Sequence, residues 1–251
     1  MGSLAPLATE RDKEGRTVVF VPAWNESESI AAVITGVKLK LPGASVLVVD
    51  DGSRDDTVEH AREAGAEVAR LPFNAGLGTA LQTGYRFAHD QGFDYFAHLD
   101  ADGQHPPREL DKILEPVWAD EADLVVGSRF VADVQGKSSE FRSSRLRRFW
   151  IFALAKLLSA ISGQRFTDIT SGFRAGNRKA IDLFSELYQP DFGEIEALQT
   201  ALTEGLSVKE VPVVMLERET GASYLNAFHS FMFMFKSMIL IAVGRFRGKQ
   251  P

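Results

Sequence analysis

The sequence predicts an α/β protein built on a largely parallel sheet. The first observation is that short apolar, β-branched runs alternate with patterns of helical spacing through the first half of the chain. The second is that 251 residues are enough to bury a sizeable core. The third is that no linker rich in Pro or Gly divides the chain into independent domains.

The first half supplies five predicted strands and three helices. The strand segments are short apolar runs, such as TVVFVPA and SVLVVD, and the helical segments carry apolar residues at helical spacing. In chain order the elements are strand Thr17–Ala23, helix Ser27–Lys38, strand Ser45–Asp50, helix Asp55–Ala64, strand Glu67–Leu71, helix Leu77–Asp90, strand Tyr95–Leu99 and strand Leu124–Gly127.

The pattern changes beyond residue 130. Residues 134–144 are polar and rich in serine without periodicity, which predicts a loop. The rest of the chain is mainly helical, with one further strand. Its elements are helix Arg147–Ile161, loop Asp168–Arg174, helices Arg178–Leu187 and Glu194–Glu204, strand Val208–Leu216 and a long helix from Ser223.

Composition excludes several classes of protein. A formal net charge of −6 argues against a protein that binds nucleic acid through an overall positive field. The absence of cysteine excludes a disulfide scaffold, a thiolate zinc site and a cysteine nucleophile. Residues 1–16 are polar, so we expect a flexible leader rather than a signal peptide. No run reaches about 18 apolar residues, so no transmembrane helix is predicted.

Three polar loops follow the carboxyl ends of predicted strands, the edge at which open α/β sheets bind ligands. In Pro22–Glu26, the glutamate either faces a ligand or stabilises the dipole of the next helix. In Asp50–Ser53, one acid must point into the crevice, where it can accept hydrogen bonds from a nucleoside; a capped turn is the alternative. In Asp100–His105, two acids two residues apart suit Mg²⁺ or Mn²⁺, and a solvated turn is the alternative.

The fourth loop, Asp168–Arg174, carries serine and arginine around a glycine, which suits a phosphate or a sugar. Together the loops stand in the order of seven motifs: VPAWNE, VVDDGSRDDT, NAGLGTAL, LDADGQHPP, DLVVGSRF, DITSGFRA and ERETGAS. On these motifs, over residues 17–224, the chain resembles the family 2 glycosyltransferases, and within them the dolichyl-phosphate mannose or glucose synthase-like enzymes. The resemblance implies a GT-A fold: a Rossmann-like nucleotide-sugar-binding domain with a mainly parallel central sheet and a helical C-terminal extension.

The resemblance further implies metal-dependent, inverting transfer of a sugar from a UDP- or GDP-sugar to a polyprenyl phosphate. The implied cofactor is Mg²⁺ or Mn²⁺, bound by Asp100, Asp102 and Gln104. The implied catalytic residues are the same two acids and Arg129. The implied nucleotide-sugar-binding residues are Pro22, Ala23, Asn25, Glu26, Asp51, Ser53, Asn74, Gly76, Asp100, Ala101 and Asp102.

The implied acceptor-phosphate residues are mostly cationic. A phosphate monoester has a second pKa of about 6, so near pH 7 it is already an anionic nucleophile that needs cations rather than a base. Arg129 matches this role, and Arg148 matches it with Arg147 as the alternative alignment. Ser171 and Arg218 complete the implied set.

The last predicted helix has two interpretations. Apolar residues recur at three- and four-residue spacing within Ala227–Val243, and a basic tail follows. An amphipathic helix on an anionic bilayer fits both features and would place the protein at the cytoplasmic face of the membrane. A core helix or a homo-oligomer interface is the alternative. The predicted domains are a leader (1–16), the glycosyltransferase domain (17–222) and this helix with its tail (223–251).

Two other functions remain open from the sequence. A transferase acting on a saccharide or protein hydroxyl would need a base, for which Glu194 and Glu196 are candidates unless they cap a helix. The other alternative binds nucleotide sugar without catalysis, and the intact Asp51, Asp100 and Asp102 argue against it.

Overall fold

The computed structural model describes residues 9–131, 145–188 and 193–216. Seven strands form one sheet: β1 Thr17–Ala23, β2 Ser45–Asp50, β3 Glu67–Arg70, β4 Tyr95–His98, β5 Leu124–Ser128, β6 Arg174–Asn177 and β7 Val208–Pro212. The helices are α1 Glu10–Glu14, α2 Ile30–Lys40, α3 Thr57–Glu63, α4 Leu77–Asp90, α5 Leu110–Trp118, α6 Arg145–Ser162, α7 Arg178–Leu187 and α8 Glu194–Thr203, with a 3₁₀ turn at Pro107–Glu109.

The strand order in the sheet is β3-β2-β1-β4-β6-β5-β7. Strand β6 runs antiparallel to both of its neighbours, β4 and β5, and the other strand pairs are parallel. The mainly parallel sheet predicted from the sequence is therefore confirmed. Because a parallel sheet is covered on both faces, every residue of β1 is buried.

Two apolar cores lie on the two faces of the sheet. On one face, α4, α6, α7 and α8 pack around Phe20, Tyr85 and Phe96, whose ring centroids lie 5.0–5.7 Å apart. On the other, α2 and α5 cover the second core. A side-chain carbon at Gly84 would lie 2.7 Å from the ring of Phe20, so α4 can approach β1 this closely only with glycine there.

The structure differs from the predicted elements in four places. The predicted loop Asp168–Arg174 ends in the strand β6, which has no apolar run to reveal it, and the predicted strand from Val208 stops at Pro212. Helix α5 was not predicted, and it contains Pro116, a residue that usually interrupts helices. In the predicted leader, α1 begins with a capping box between Thr9 and Asp12.

Several predictions fall outside the described residues. These are the loop over 134–144, Arg218, the helix from Ser223 and the side chains of Arg147 and Arg148 at the start of α6. Over the ranges that the structure covers, no helix combines the length and apolarity needed to cross a bilayer.

Candidate active site

The four polar loops of the sequence meet at one edge of the sheet. The loops after β1, β2 and β4 follow the carboxyl ends of parallel strands. The fourth loop precedes β6, and because β6 is antiparallel, its amino end lies beside the carboxyl end of β4. Register confirms this, since Arg174 at the start of β6 pairs with His98 at the end of β4.

The two acids at the end of β2, Asp50 and Asp51, stabilise different parts of this edge. Asp50 is fully buried; its carboxylate accepts the N–H of Ser53 at 3.2 Å and lies 3.2 Å from Nε of Arg70. Asp51 accepts the backbone N–H groups of Ala75 and Gly76 at 2.6 and 2.9 Å. Asp51 therefore fixes the turn that leads into α4.

The loop after β1 is tied to the loop after β2. Asn25 has a positive φ of 54°; its N–H donates to Oγ of Ser53, and its side-chain oxygen accepts from the N–H of Arg54. The N–H of Glu26 donates to the hydroxyl of Thr57. These bonds hold Asn25, Glu26 and Ser53 close together, and the two loops form one wall.

A cleft of about 490 Å³ opens beside this wall. Ser53 and Asn74, two of the implied donor-binding residues, line it. Sequence reasoning missed the large side chains that line the cleft with them, Trp24, Arg54, Arg70 and Phe73. Phe73 is 67% exposed, so its ring is accessible at the cleft. The signal available in the sequence was an aromatic residue directly before the NAGLG turn.

The acids after β4 are placed by short hydrogen bonds within their loop. The N–H of Asp100 donates to Nδ1 of His105 at 3.0 Å. Asp102 accepts from both the backbone N–H and the side-chain amide of Gln104, each at 3.0 Å. Burial lowers the pKa of His105 to about 4, so this ring is neutral and acts as the acceptor.

The donor set after β4 fits a hard divalent cation. Asp100 and Asp102 offer carboxylate oxygens, and the side chain of Asp100 is 38% exposed, so solvent and ligands can reach it. Among the residues that the structure covers, no three His, Cys, Asp or Glu side chains are grouped to enclose a metal. Two carboxylates would leave the other positions to water and substrate oxygens, which is how Mg²⁺ commonly binds.

Gly172 of the fourth loop lies against these acids. A side-chain carbon built there would lie 3.4 Å from Oδ1 of Asp100, 3.4 Å from Nε2 of His98 and 3.5 Å from Oε1 of Glu194. The first turn of α8, which carries Glu194, thus reaches the loop after β4. His98 is buried with no hydrogen-bond partner for either ring nitrogen in the described residues, and burial, Arg174 and His105 hold its pKa well below the usual range.

Arg129 is buried rather than open to solvent. Its Nε and Nη2 donate to the two carboxylate oxygens of Asp168 at 2.6 and 2.7 Å, and Nη2 also donates to the hydroxyl of Thr170. Burial opposes its charge, but Asp168 outweighs burial and raises the pKa of Arg129, with smaller contributions from Glu194 and Asp100. One edge of the guanidinium is therefore already occupied by a carboxylate, which sequence reasoning did not foresee.

The remaining implied residues support the backbone of the site. Pro22 lies within β1, Ala23 accepts the N–H of Asp51, and Ala101 is buried. Ser171 is buried, and its carbonyl accepts Nε of Arg174 at 2.9 Å.

Comparison with known proteins finds a matching family and similar proteins. The model of the family described as "Glycosyl transferase family 2" matches residues 18–184. The chain is 34% identical over 231 residues to a polyprenol monophosphomannose synthase of Mycolicibacterium smegmatis, an alignment covering 88% of this chain and 85% of the relative. It is 34% identical over 220 residues to an undecaprenyl-phosphate mannosyltransferase of Micrococcus luteus, covering 84% and 88%.

Solved structures show the same fold. Glucosyl-3-phosphoglycerate synthase from Mycobacterium tuberculosis, in complex with Mn²⁺, uridine diphosphate and phosphoglyceric acid, superposes with a TM-score of 0.67. The match covers 99% of this chain and 86% of that chain at 20% identity, and at this identity it concerns the fold alone.

Proposed function

Since the chain belongs to glycosyl transferase family 2, we propose that this glycosyltransferase moves a sugar from a nucleotide sugar to a polyprenyl phosphate. The observation that carries the proposal is an acid pair and a buried arginine at one edge of a GT-A sheet, in a chain whose relatives are named for polyprenyl-phosphate substrates. We propose a UDP- or GDP-sugar as donor.

The nucleotide of the donor would occupy the cleft beside the β1 and β2 loops. Trp24 and Phe73 offer apolar faces for a base, and Arg54 and Arg70 offer cations. We assign Asp51 to the same end of the site. Its carboxylate shapes the turn at Ala75 and Gly76, so it contributes to donor binding through that turn as well as through direct contact.

We propose that Asp100, Asp102 and Gln104 bind Mg²⁺ or Mn²⁺ next to the donor diphosphate. When bound, such an ion would neutralise the negative charge that develops on the leaving diphosphate. The presence of Mn²⁺ and uridine diphosphate in the solved structure of similar fold supports the choice of a divalent ion.

The proposed reaction is a single displacement with inversion. An oxygen of the acceptor phosphate forms a bond to the anomeric carbon, and the bond from that carbon to the diphosphate oxygen breaks. The nucleoside diphosphate leaves with the electron pair. No residue of the chain has to remove a proton, because the phosphate is already anionic near pH 7.

Charge is the main constraint on this reaction. The positive charge of Arg129 is stabilised by three carboxylates, those of Asp100, Asp168 and Glu194. Arg129 already forms an ion pair with Asp168. An anionic acceptor therefore needs further cations. We propose that Arg148 and Arg218, both outside the described side chains, supply them together with the metal ion.

The decisive experiment is a transfer assay with purified protein, Mg²⁺ or Mn²⁺, and UDP- and GDP-sugars, with a short polyprenyl phosphate or the corresponding free polyprenol. We expect transfer to the phosphate and none to the alcohol. Equal transfer to the free polyprenol or to a saccharide would contradict the proposal.

Transfer to a hydroxyl is the second candidate, because Glu194 lies near Asp100 and could act as a base. Removing a general base typically costs about 10²–10⁴-fold in rate. With a lipid phosphate as acceptor, we expect Glu194→Gln to lower kcat by about tenfold or less, which is well short of that loss. A drop of about a thousandfold, with activity rising with pH in the wild type, would favour the hydroxyl acceptor.

A further inference from the structure

A chain of hydrogen bonds links β7 to Arg129, although the two are far apart in sequence. It starts at Glu210, the residue of β7 whose carboxylate reaches the fourth loop. Its Oε2 accepts the N–H and the hydroxyl of Thr167, each at 2.8 Å, and its Oε1 accepts the N–H of Asp168 at 2.8 Å. Glu210 thus fixes the backbone position of Asp168.

Asp168 is the second link. It is fully buried, and its carboxylate accepts the backbone N–H of Arg129 as well as two N–H groups of the guanidinium. The hydroxyl of Thr170 accepts from Arg129 at 2.8 Å and donates to Asp168 at 3.2 Å. Ser128 also belongs to this network, because its hydroxyl lies 2.7 Å from the hydroxyl of Thr167.

The chain of bonds gives a long, flexible side chain one fixed orientation. A free arginine side chain has about 2 kcal/mol of rotamer entropy to lose on binding a ligand. At Arg129 that entropy is already lost in the folded state, because both oxygens of the Asp168 carboxylate hold it. Asp168 therefore sets the orientation of the guanidinium plane. Glu210 in turn sets the position of the Asp168 backbone.

We propose that Glu210 and Asp168 are positioning residues that aim Arg129 at the acceptor phosphate, and that they act on the acceptor and not on the donor. This inference rests on the proposed function. It predicts that changes at Glu210 affect catalysis only through Arg129.

A double-mutant cycle between Glu210→Gln and Arg129→Lys tests this. Glutamine cannot accept from all the N–H groups that Glu210 holds, and lysine cannot bridge both oxygens of Asp168. We expect Glu210→Gln alone to lower kcat/KM for a short polyprenyl phosphate by about 10- to 100-fold. In a protein that already carries Arg129→Lys, the same change should alter kcat/KM by less than about threefold. The affinity for the nucleotide sugar, measured by calorimetry, stays within about threefold of wild type.

Glu121→Gln is the matched control. Glu121 pairs with Lys209, the neighbour of Glu210 on β7, at the protein surface, where ion pairs contribute little. We expect it to leave acceptor kinetics and donor affinity unchanged. Thr167→Val serves as a milder second variant, since it removes one hydroxyl from the network and keeps the backbone N–H; its smaller effect also disappears when it is combined with Arg129→Lys.

Two results would overturn the inference. Additive effects of Glu210→Gln and Arg129→Lys would mean that Glu210 acts elsewhere. An equal loss of donor affinity would mean that it merely supports the fold. The proposed function fails separately, if the wild-type protein binds a nucleotide sugar but transfers nothing to a polyprenyl phosphate.

Discussion

At the scale of single residues, a substitution of Asp102 gives a direct test of the proposed metal site. We expect Asp102→Asn to weaken binding of the nucleotide sugar by about tenfold or more in the presence of Mn²⁺, because a cation held by Asp102 would offset part of the negative charge of the diphosphate. Without metal, wild type and variant should bind alike. Calorimetry with and without Mn²⁺ measures both, and Asp90→Asn, an exposed acid on α4, is the control. Unchanged affinity and activity in the variant would show that Asp102 does not bind the metal.

The two implied acceptor arginines differ in what their removal does. Arg148→Ala should lower kcat/KM for the lipid phosphate, by an amount equivalent to about 2–4 kcal/mol of activation free energy, and leave donor affinity unchanged. Arg129→Ala should do the same and also destabilise the fold, by about 3–5 kcal/mol, because Asp168 is left buried without its cation. Steady-state kinetics, donor calorimetry and thermal unfolding separate the effects, with Arg178→Ala on α7 as the control. Wild-type lipid kinetics in both variants would show that the acceptor binds elsewhere.

Residue types could be assigned from the sequence more readily than residue partners. The motifs identified Asp100, Asp102 and Arg129, and the structure brings the acids to the sheet edge where they were expected. The pairing of Arg129 with Asp168 joins residues 39 positions apart and depends on where the fourth loop enters the sheet. The cleft lining was missed for a related reason: Trp24 follows β1 and Arg70 ends β3, and a single sequence does not show that these two positions line the same cleft.

At the scale of secondary structure, elements with a strong periodic pattern were predicted well. Helix α4 and helix α7 have the bounds that the apolar spacing indicated, and β1 and β2 match their apolar runs residue for residue. Strand β6 was missed because its sequence, RAGN, has no β-branched residue and only four positions. Its conformation is imposed by β4 and β5 on either side, a tertiary effect that local propensity cannot show.

The junction of β5, β6 and β7 depends on Asp123. Its carboxylate accepts the N–H and hydroxyl of Ser207 and the side-chain amide of Asn177, and it pairs with Lys179 at 3.0 Å. Burial alone would raise the pKa of Asp123, but these bonds outweigh it and hold the pKa well below the ordinary 3.8. A lowered pKa in the folded state stabilises the fold above the ordinary pKa, and that contribution is lost as pH falls.

We therefore expect Asp123→Asn to lower the free energy of unfolding by about 1–3 kcal/mol at pH 7. The difference from wild type should shrink as pH falls below about 4, where the wild-type carboxylate loses its advantage. Urea unfolding of both proteins at pH 7 and pH 3 measures it, with the exposed Asp90→Asn as the control. A difference that is the same at both pH values would show that the charge of Asp123 is not what stabilises the junction.

At the scale of the whole molecule, the proposed lipid acceptor requires the protein to reach a membrane surface. We propose that the segment over 223–251, outside the described residues, lies on the cytoplasmic face of the membrane through its apolar face and basic tail. Truncation before Ala227 should then release the protein from anionic liposomes in a flotation assay, while the full chain floats with them. If the full chain does not float, the segment belongs to the core or to a subunit interface.

The antiparallel strand β6 also determines when the sheet can form during translation. Strands β4 and β5 leave the ribosome long before β6, yet both of them hydrogen-bond to β6 and not to each other. A nascent chain that has not reached Arg174 can form only the part of the sheet that contains β3, β2, β1 and β4, which leaves β4 with an open apolar edge and β5 with no strand to join. Such edges are the usual starting points of aggregation. The acids after β4 are thus translated early. The sheet that holds them in place is completed only when the last third of the chain has been translated. Until then the nascent chain exposes a strand edge with which other chains can pair.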